Sequence, residues 1–442
     1  MNTSPRITTR LAAAVVGLAC CLMAGCQRDD PAPAADAPPQ SFYGTRFERK
    51  PNAAELTELG RALFADAALS ASGRLSCSSC HDPAHAYGPP NGLAVQRGGG
   101  DLAQPGLRAV PSLRYAQDTH PFDEHYTETE GDDSIDQGPA GGWTWDGRAN
   151  SAHAQAALPL LSPFEMGNAD EAAVVARLRA SSSAGPMRAA FGAHVLDDEH
   201  LAWNGLLLAL EVFQQNPADF YPYSSRYDEY LRGRASLSAS EQHGLQLFND
   251  PQRGNCAECH VSAIKRGAFP SFTDRGLIAL AVPRNGEIAA NADPHYFDLG
   301  LCGPLRTDLV DHPEYCGLFK TPTLRNVATR QVFFHNGRFH TLVEAVRFYA
   351  DRDAHPARYY GKGGQADDLP ERYRDNINRE EPFAAQHPGK PSLSEPEIAD
   401  IVAFLRTLTD GDARPVPNPQ AVSGERHAAN TSIPPNPGRR AR

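Results

Sequence analysis

The chain contains 442 residues, of which 41% are hydrophobic and 21% are charged, and its formal net charge is −11. These values predict a soluble globular protein with two or three domains and argue against a bundle of membrane-spanning helices. The acidic balance argues against nucleic acid as a partner, because no excess of basic side chains is available to neutralise phosphates.

Residues 1–25 predict a secretory signal peptide of the lipoprotein type. Arg6 and Arg10 precede an apolar run that is too short to cross a bilayer as a helix. The run ends in small residues before Cys26, an ending that resembles a bacterial lipobox and implies lipidation of the cysteine thiol. The first lipobox residue is methionine rather than the more usual leucine, so an ordinary signal peptide stays open as an alternative. We expect a periplasmic protein attached to a membrane only by a lipid anchor, and Gln27 favours the outer membrane.

Proline-rich composition marks both ends of the exported chain. Residues 26–48 predict a Pro/Ala-rich linker, and residues 413–442 predict a disordered tail. Between these segments we expect two domains, an N-terminal one at 49–236 and a C-terminal one at 237–412.

Three segments of these domains carry helix signals. One has leucines at helical spacing, and two others place a serine three residues before a glutamate, which is a capping box that opens a helix. Strand-like alternation is scarce, so the predicted fold class is mainly α with long loops. The residues concerned are Leu56, Leu59 and Leu63, then Ser238 with Glu241, and Ser394 with Glu397.

The motif C-x-x-C-H, the attachment signature of c-type haem, occurs twice. Its two thiols can reach the two vinyl groups of a haem, and the histidine is then placed under the iron as proximal ligand. A redox C-x-x-C and half of a zinc site are the alternatives. The first should lie in a βαβ context, which neither copy has, and a four-thiolate zinc site requires no histidine after each pair. We therefore predict two covalently bound haems, at Cys77, Cys80 and His81 and at Cys256, Cys259 and His260.

Other segments also recur, which predicts an internal duplication with one haem in each half. An ungapped alignment of two of them places Tyr349 opposite Pro159. If this position faces the distal side of each haem, the second iron is closed by a phenol and the first is open to a small oxidant. Tyr349 as a plain packing residue is the equal alternative, since helical aromatics usually belong to a core. The paired segments are 60–66 with 244–250, 111–114 with 322–325, and 145–159 with 335–349.

Cys302 and Cys316 remain once the signal peptide and the two haem motifs have taken the other cysteines. In an exported and therefore oxidising compartment, we predict that these two form a disulfide.

The chain from about residue 50 to 410 resembles the bacterial dihaem cytochrome c peroxidase and MauG superfamily. The motifs that carry the resemblance are both C-x-x-C-H sequences, WDGRA, LLSPFEMGN, TPTLRNVA, and FFHNG followed by TLVEAVRFY. The resemblance implies two cytochrome c-type domains, each with one covalently bound haem. It also implies that the N-terminal haem reacts with peroxide and that the C-terminal haem transfers electrons.

The resemblance further implies a role for Tyr349. The peroxidases of this family carry a distal methionine at the corresponding position, whereas the MauG-like branch carries a tyrosine. A tyrosinate ligand favours ferric and higher states of iron, and a methionine favours ferrous iron. We therefore expect Tyr349 to be the distal ligand of the second haem.

Further site residues follow from the same resemblance. Glu165 matches the family's catalytic glutamate, which would move a proton between the two oxygens of a peroxide. Trp145 matches the tryptophan that relays electrons between the haems, with Trp143 as the competing candidate. Gln155 and Pro159 match positions that line the distal pocket of the first haem.

The sequence departs from the family pattern in its histidines. The classical peroxidases have a loop histidine that caps the first haem in the resting state. Here His85, His120 and His125 stand in no recognisable loop context, and we expect them to be exposed rather than to ligate iron.

The calcium site of the family also has altered residues. Ala109 replaces an asparagine, while Arg330 and Val332 replace a threonine and a proline whose carbonyls serve in relatives. Calcium binding is therefore doubtful. An acidic insertion at 123–138 could bind a cation or a partner, but such charge runs usually form solvated loops.

Three functions are compatible with these features. The first is a peroxidase that reduces hydrogen peroxide with electrons from a small c-type cytochrome or a cupredoxin. The second is a MauG-like enzyme that stores two oxidising equivalents and uses them to oxidise a residue of a partner protein. The third is a dihaem electron carrier without catalysis, which would need neither an open iron nor Glu165.

Overall fold

A computed structural model describes residues 45–127, 137–265, 267–383 and 389–413. The predicted signal peptide, Cys26, most of the linker and most of the acidic insertion and of the C-terminal tail lie outside these residues. The described residues from Arg46 onwards form one compact unit, and the predicted boundary between 236 and 237 stays a prediction. None of the helices within these ranges is long and apolar enough to cross a membrane.

The predicted mainly α fold class is confirmed, because helices dominate and the strands are only two residues long. The α-helices are α1 Ala53–Phe64, α2 Cys77–Cys80, α3 Ala152–Leu161, α4 Glu171–Ala180, α5 Ala184–Phe191, α6 Glu199–Gln214, α7 Pro217–Phe220, α8 Arg226–Leu231, α9 Ala239–Asn249, α10 Leu342–Asp351, α11 Ala357–Tyr360 and α12 Glu395–Arg406. Short 3-10 turns occupy Ala67–Leu69, Pro83–His85, Cys256–Glu258, Ala289–Ala292, Pro313–Tyr315, Val327–Thr329, Gly361–Gly363 and Glu371–Asn376.

Two antiparallel strand pairs stand among the long loops. Strand β1 Arg97–Gly98 pairs with β2 Gln104–Pro105, and β3 Leu277–Ile278 pairs with β4 Phe319–Lys320. In the second pair Leu277 lies opposite Lys320 and Ile278 opposite Phe319.

The three predicted helix signals correspond to α1, α9 and α12. The leucines of α1 are buried on one face, as the helical spacing indicates. At 238 the serine hydroxyl accepts from the Glu241 amide and the glutamate accepts from the serine amide, and at 394 the Glu397 carboxylate accepts from both the amide and the hydroxyl of Ser394. Both pairs satisfy amide donors that the first turn of a helix leaves without partners.

Two large hydrophobic clusters form the core. One is built from residues of α1 and α3 to α7, and the other from residues of α8 to α10 and α12. In the first, α1 packs so closely on α6 that a Cβ at Gly60 would lie 2.0 Å from the Ala209 carbonyl oxygen. In the second, a Cβ at Gly244 of α9 would lie 2.0 Å from the Asp400 carbonyl oxygen of α12. The aligned glycines of segments 60–66 and 244–250 therefore permit the same close helix contact.

Cys302 and Cys316 form a disulfide with a Cα–Cα distance of 4.9 Å, which is the pair expected from the sequence. Both cysteines are buried beside a third, smaller hydrophobic cluster around β3.

Candidate haem-binding site

The first C-x-x-C-H motif forms α2, and His81 is the residue that ends this helix. The His81 Nδ1 atom lies 3.0 Å from the Tyr87 carbonyl oxygen. Because a carbonyl only accepts, Nδ1 carries the proton in the neutral ring and Nε2 keeps the lone pair that a metal needs. Burial lowers the pKa of His81 to about 4, against the hydrogen bonds to the carbonyls of Tyr87 and Pro111. His81 is therefore neutral and able to ligate at pH 7.

The second motif repeats this arrangement on a 3-10 turn, Cys256–Glu258. The His260 Nδ1 atom lies 3.0 Å from the Phe272 carbonyl oxygen, and burial again lowers the pKa of the histidine to about 4. The two carbonyls belong to residues of the same unusual conformation, since φ is +55° at Tyr87 and +56° at Phe272.

The four motif thiols are not disulfide-bonded. Burial raises the pKa of Cys77, Cys256 and Cys259 to about 12 and that of Cys80 to about 11, so all four are protonated thiols at neutral pH. Each motif therefore offers two free thiols, which are the groups that covalent attachment to two haem vinyl groups requires.

Both motifs line one continuous cavity of about 930 Å³. This volume lies near the upper end for ligand sites in proteins, which is about 300–1,000 Å³. A c-type haem requires two thiols and one imidazole nitrogen, and each motif brings this set to the cavity wall. The residues present therefore fit haem at each motif.

Glu165 lines the cavity near the first motif. Glu165 is exposed by accessible area, and protein atoms still surround its carboxylate closely enough to remove part of its hydration. Burial raises the pKa of Glu165, whereas a hydrogen bond with Ser162 and the charge of Arg148 act in the opposite direction. The carboxylate also contributes to the raised pKa of Cys80, which shows that the two groups are neighbours.

The loop that carries Glu165 is fixed by a close backbone approach. The Gly99 amide donates to the Glu165 carbonyl oxygen at 2.8 Å. A Cβ at Gly98 would lie 2.2 Å from the Phe164 carbonyl oxygen, so only glycine fits there. Sequence reasoning found Glu165 through its motif but not the two glycines that hold it.

Helix α3 brings Gln155 and Pro159 to the same cavity. The helix begins after Ser151, whose hydroxyl accepts from the Ala154 amide. Pro159 lies inside the helix, and its carbonyl oxygen accepts from the Met166 amide at 3.0 Å, which ties α3 to the loop of Glu165. A proline offers no ligating atom, so nothing from this position can close the cavity.

Tyr349 on α10 lines the cavity near the second motif. Burial raises the pKa of Tyr349, and the thiols of Cys259 and Cys256 add to the rise, which places the phenol close to both. The ring stacks on Phe383 with centroids 5.4 Å apart. Within the described ranges the phenol oxygen has no hydrogen-bond partner, and it faces the cavity.

Trp145 is 8% exposed and lines the same cavity as both motifs. Its Nε1 donates to the Ala109 carbonyl oxygen at 2.7 Å, and the Ala109 amide donates to the His335 carbonyl oxygen at 2.7 Å. Trp145 is thereby linked to a residue of the second half by two hydrogen bonds. Trp143 also lines the cavity but is only half-buried.

A buried charge network beside Trp145 was not anticipated from the sequence. Arg108 joins Asp146 at 2.7 Å and Asp298 at 2.6 Å, and so connects the two halves. Burial alone would raise the pKa of Asp146, but the charges of Arg108 and Arg148 outweigh it and lower the pKa to about 2. The only signal available was the aspartate in WDGRA, whose partners are distant in sequence.

The three candidate capping histidines differ in exposure. His125 is exposed, as expected, but the same expectation is wrong for His85 and His120, which are half-buried. His85 Nδ1 lies 2.7 Å from an Asp82 carboxylate oxygen, and the residue lines the cavity. His120 stacks on Tyr126 with ring centroids 4.3 Å apart. Both are held by neighbours in their own loops, which the sequence did not reveal.

The carbonyls near the altered calcium residues are already engaged by a cation. Arg330 donates from Nη2 to the Val110 carbonyl oxygen at 3.0 Å and from Nε to the Val332 carbonyl oxygen at 3.1 Å. The expectation that these replacements weaken the calcium site stays a prediction.

Comparison with known proteins supports the same grouping. The family described as Di-haem cytochrome c peroxidase matches residues 54–236. The methylamine utilization protein MauG of Paracoccus denitrificans is 33% identical, over 84% of this chain and 93% of that protein. The cytochrome c551 peroxidase of Nitrosomonas europaea is 25% identical, over 81% of each chain.

A solved structure is also similar. The diheme peroxidase BthA from Burkholderia thailandensis E264 superposes with a TM-score of 0.73 and is 36% identical, over 84% of this chain and 89% of that one. The chain belongs to the dihaem cytochrome c peroxidase and MauG family, which confirms the resemblance seen in the sequence. Its relatives include peroxidases as well as MauG proteins, so membership alone leaves the reaction open.

Proposed function

We propose that the chain is a periplasmic dihaem c-type peroxidase that reduces hydrogen peroxide and transfers electrons between two covalently bound haems. The thiols and histidine of each motif would hold one haem. The matched carbonyl contacts of His81 and His260 support the same proximal arrangement at both sites and an origin by internal duplication.

The observation that supports this proposal most strongly is that different kinds of side chain line the cavity near the two motifs. A carboxylate, Glu165, and a residue without ligating atoms, Pro159, line the cavity near the first motif, whereas a phenol, Tyr349, lies near the second. A site open to peroxide and equipped for proton transfer is what a peroxidase needs. A non-catalytic electron carrier, the third candidate, needs neither feature.

When bound, haem supplies an iron that can take a peroxide oxygen and exchange electrons. The Glu165 carboxylate would accept a proton from one peroxide oxygen and return it to the other, which then leaves as water. Two electrons from a small c-type cytochrome or cupredoxin and two protons from solvent complete the conversion of one peroxide to two waters. Gln155 and Pro159 would shape the space around the peroxide.

Trp145 would relay electrons between the two sites, because it lines the cavity shared by both motifs. In Trp145→Phe we expect slow reduction of the first haem by electrons that enter at the second. Rapid-mixing spectroscopy of the half-reduced protein measures this rate. A wild-type rate in that variant would refute the relay, and Trp143→Phe is the matched control.

Steady-state turnover of hydrogen peroxide by the haem-loaded protein, with reduced cytochrome c as donor, tests the main proposal. Fast turnover supports the peroxidase. Negligible turnover with both cytochrome c and a reduced cupredoxin would refute it.

A MauG-like oxidation of a partner protein is the second candidate, and Tyr349 favours it. In the MauG-like reaction the oxidising equivalents of one peroxide are kept and then passed to a protein residue. An oxidised haem spectrum that persists after one equivalent of peroxide, without turnover of a donor, would support this function.

Lipidation at Cys26 would attach the exported protein to the outer membrane. Palmitate labelling of the wild type that is lost in Cys26→Ser supports this proposal. Wild-type protein that takes up no label would refute it.

A further inference from the structure

Lys320 lines the cavity, and the proposed reaction assigns no role to this lysine. It ends strand β4, opposite Leu277 of β3. Its amide donates to the Trp145 carbonyl oxygen at 2.8 Å, and its Nζ donates to the Gly142 carbonyl oxygen. A lysine ammonium has three donors, so the Gly142 carbonyl satisfies only part of its capacity.

Arg275 lies next to this lysine and is also incompletely satisfied. It is 8% exposed, lines the cavity, and donates from Nη2 to the Tyr115 carbonyl oxygen and to Asp118. Its Nε is buried and has no hydrogen-bond partner among the described residues. Buried donors without partners are rare in folded proteins and indicate a missing acceptor.

Lys320 lacks a carboxylate partner of its own among the described residues. Burial holds the pKa of Lys320 well below its ordinary value, and the positive charges of Arg275 and Arg306 lower it further. Asp146 is the one opposing carboxylate among these influences, and it is already bonded to Arg108 and Arg148. Arg275 pairs with Asp118 and Arg306 with Asp308, whereas no carboxylate among the described residues contacts Lys320, and a buried cation requires a compensating anion.

Backbone hydrogen bonds hold the segments that carry Lys320 and Arg275 side by side. The Gly141 amide donates to the Arg275 carbonyl oxygen at 2.9 Å, and the next residue, Gly142, accepts from Lys320. The Thr321 amide donates to the Gly276 carbonyl oxygen at 2.8 Å, which joins the residue after Lys320 to the residue after Arg275. The two cations are therefore neighbours on one rigid part of the wall.

We propose that Lys320 and Arg275 form a carboxylate-binding subsite that takes a propionate of a haem bound in this cavity. A carboxylate can accept one charge-assisted hydrogen bond from an ammonium and another from a guanidinium N–H. The propionates are the carboxylates that haem itself brings into the cavity. Lys320 then links the haem to Trp145, because its amide holds the tryptophan carbonyl. Both act as positioning residues.

The test uses the full haem-loaded chain, with the propionate carboxyl carbons labelled with carbon-13 through labelled aminolevulinate. Reduced-minus-oxidised infrared difference spectra then report on the haem carboxylates alone. We expect a labelled carboxylate band to move in Lys320→Met and in Arg275→Gln, and to return toward its wild-type position in Lys320→Arg. Lys50→Met, at an exposed position, is the matched control and should leave all bands unchanged.

A second readout is the midpoint potential of the haems. Loss of a positive charge near a propionate favours the oxidised iron, so Lys320→Met should lower the potential of one haem. Labelled bands and potentials that are identical in wild type, Lys320→Met and Arg275→Gln would overturn the inference. So would a wild-type potential that changes with added acetate at constant ionic strength, because the subsite would then hold an exchangeable anion.

This inference rests on the proposed haem binding, and haem content separates the two failures. Wild-type protein without two haems per chain refutes the proposed function. Two haems per chain with unmoved carboxylate bands refute only the propionate subsite.

Discussion

The helix that follows Gly147 and the helix that follows Gly337 begin alike and present different side chains to the cavity. Each glycine has a positive φ, +65° and +63°, within a tight backbone reversal closed by one bridge, Trp143 to Ala149 and Phe333 to Phe339. The aligned hydroxyl residues Ser151 and Thr341 then cap α3 and α10.

Beyond these caps the two helices diverge. Helix α3 brings Pro159 to the cavity and α10 brings Tyr349. The backbone devices that build a cavity wall are thus alike in both halves, while one side chain on that wall differs. In this pair of segments the residues that build the turn and the cap occupy other positions than the residue that differs.

The largest expected effect is a loss of bound haem when the cysteines of either motif are replaced. Replacing Cys77 and Cys80 by serine should lower the bound haem from two to one per chain, and replacing Cys256 and Cys259 should do the same. Pyridine haemochromogen analysis measures the haem content. The matched control replaces Cys302 and Cys316, which do not line the cavity and should leave two haems. Two haems in either motif variant would contradict the assignment of that motif.

The next largest effect is expected at the first site, where Glu165 lines the cavity. Glu165→Gln keeps the shape of the side chain but cannot carry a proton between the peroxide oxygens. General acid–base catalysis contributes about 10²–10⁴-fold, so we expect peroxide turnover to fall by about that factor. Stopped-flow reaction with peroxide measures it. Glu171→Gln, at an exposed position of α4, should react at the wild-type rate. Full reactivity of Glu165→Gln would remove Glu165 from the mechanism.

The aligned arginines of segments 111–114 and 322–325 provide a comparison of stability. Arg325 pairs with Asp228 and both side chains are 0% exposed. Asp228→Asn leaves the guanidinium buried with a neutral partner, which should lower the free energy of unfolding by about 3–5 kcal/mol. Urea denaturation followed by circular dichroism measures this change.

The corresponding change in the first half should be small. Arg114 pairs with Asp412, which is 55% exposed, and also with the buried Asp410. Asp412→Asn leaves the second partner in place, so we expect a loss of less than about 1 kcal/mol. Equal losses in Asp228→Asn and Asp412→Asn would show that burial does not distinguish the two pairs.

The smallest expected effect is confined to one haem. Tyr349→Phe removes the phenol oxygen from the cavity and keeps the ring that stacks on Phe383. We expect the optical and paramagnetic resonance spectra of the second haem to change while those of the first stay the same. Tyr359→Phe is the control, because its hydroxyl bonds to Arg347 and Asp351 outside the cavity. Unaltered spectra in Tyr349→Phe would make the residue a packing aromatic.

Local features of the fold were predictable from the sequence. The capping boxes of α9 and α12 and the apolar face of α1 each depend on residues within one or two helical turns. Patterns of this kind survive folding because the interactions that produce them are short in range. The repeated glycines at 60 and 244 were visible as well, but the sequence did not show that another helix packs closely against each of them.

The burial of two candidate histidines was not predictable. His85 and His120 stand in polar segments and were expected to be exposed, yet the first lines the cavity and the second stacks on Tyr126. Loop residues are placed by contacts made after the chain has closed on itself, and no local pattern encodes those contacts.

The sequence by itself predicted the helices α1, α9 and α12, both C-x-x-C-H motifs and the alignment of Pro159 with Tyr349, and the family resemblance added Glu165. Only the tertiary structure decided which charges meet. Arg275 reaches Asp118 and Tyr115 across more than 150 residues of sequence, and Arg108 reaches Asp298 across 190. The energy of such a pair depends on burial and distance, and both are fixed by the path of the long loops. For this reason no sequence pattern pointed to Lys320 and Arg275, which both line the cavity.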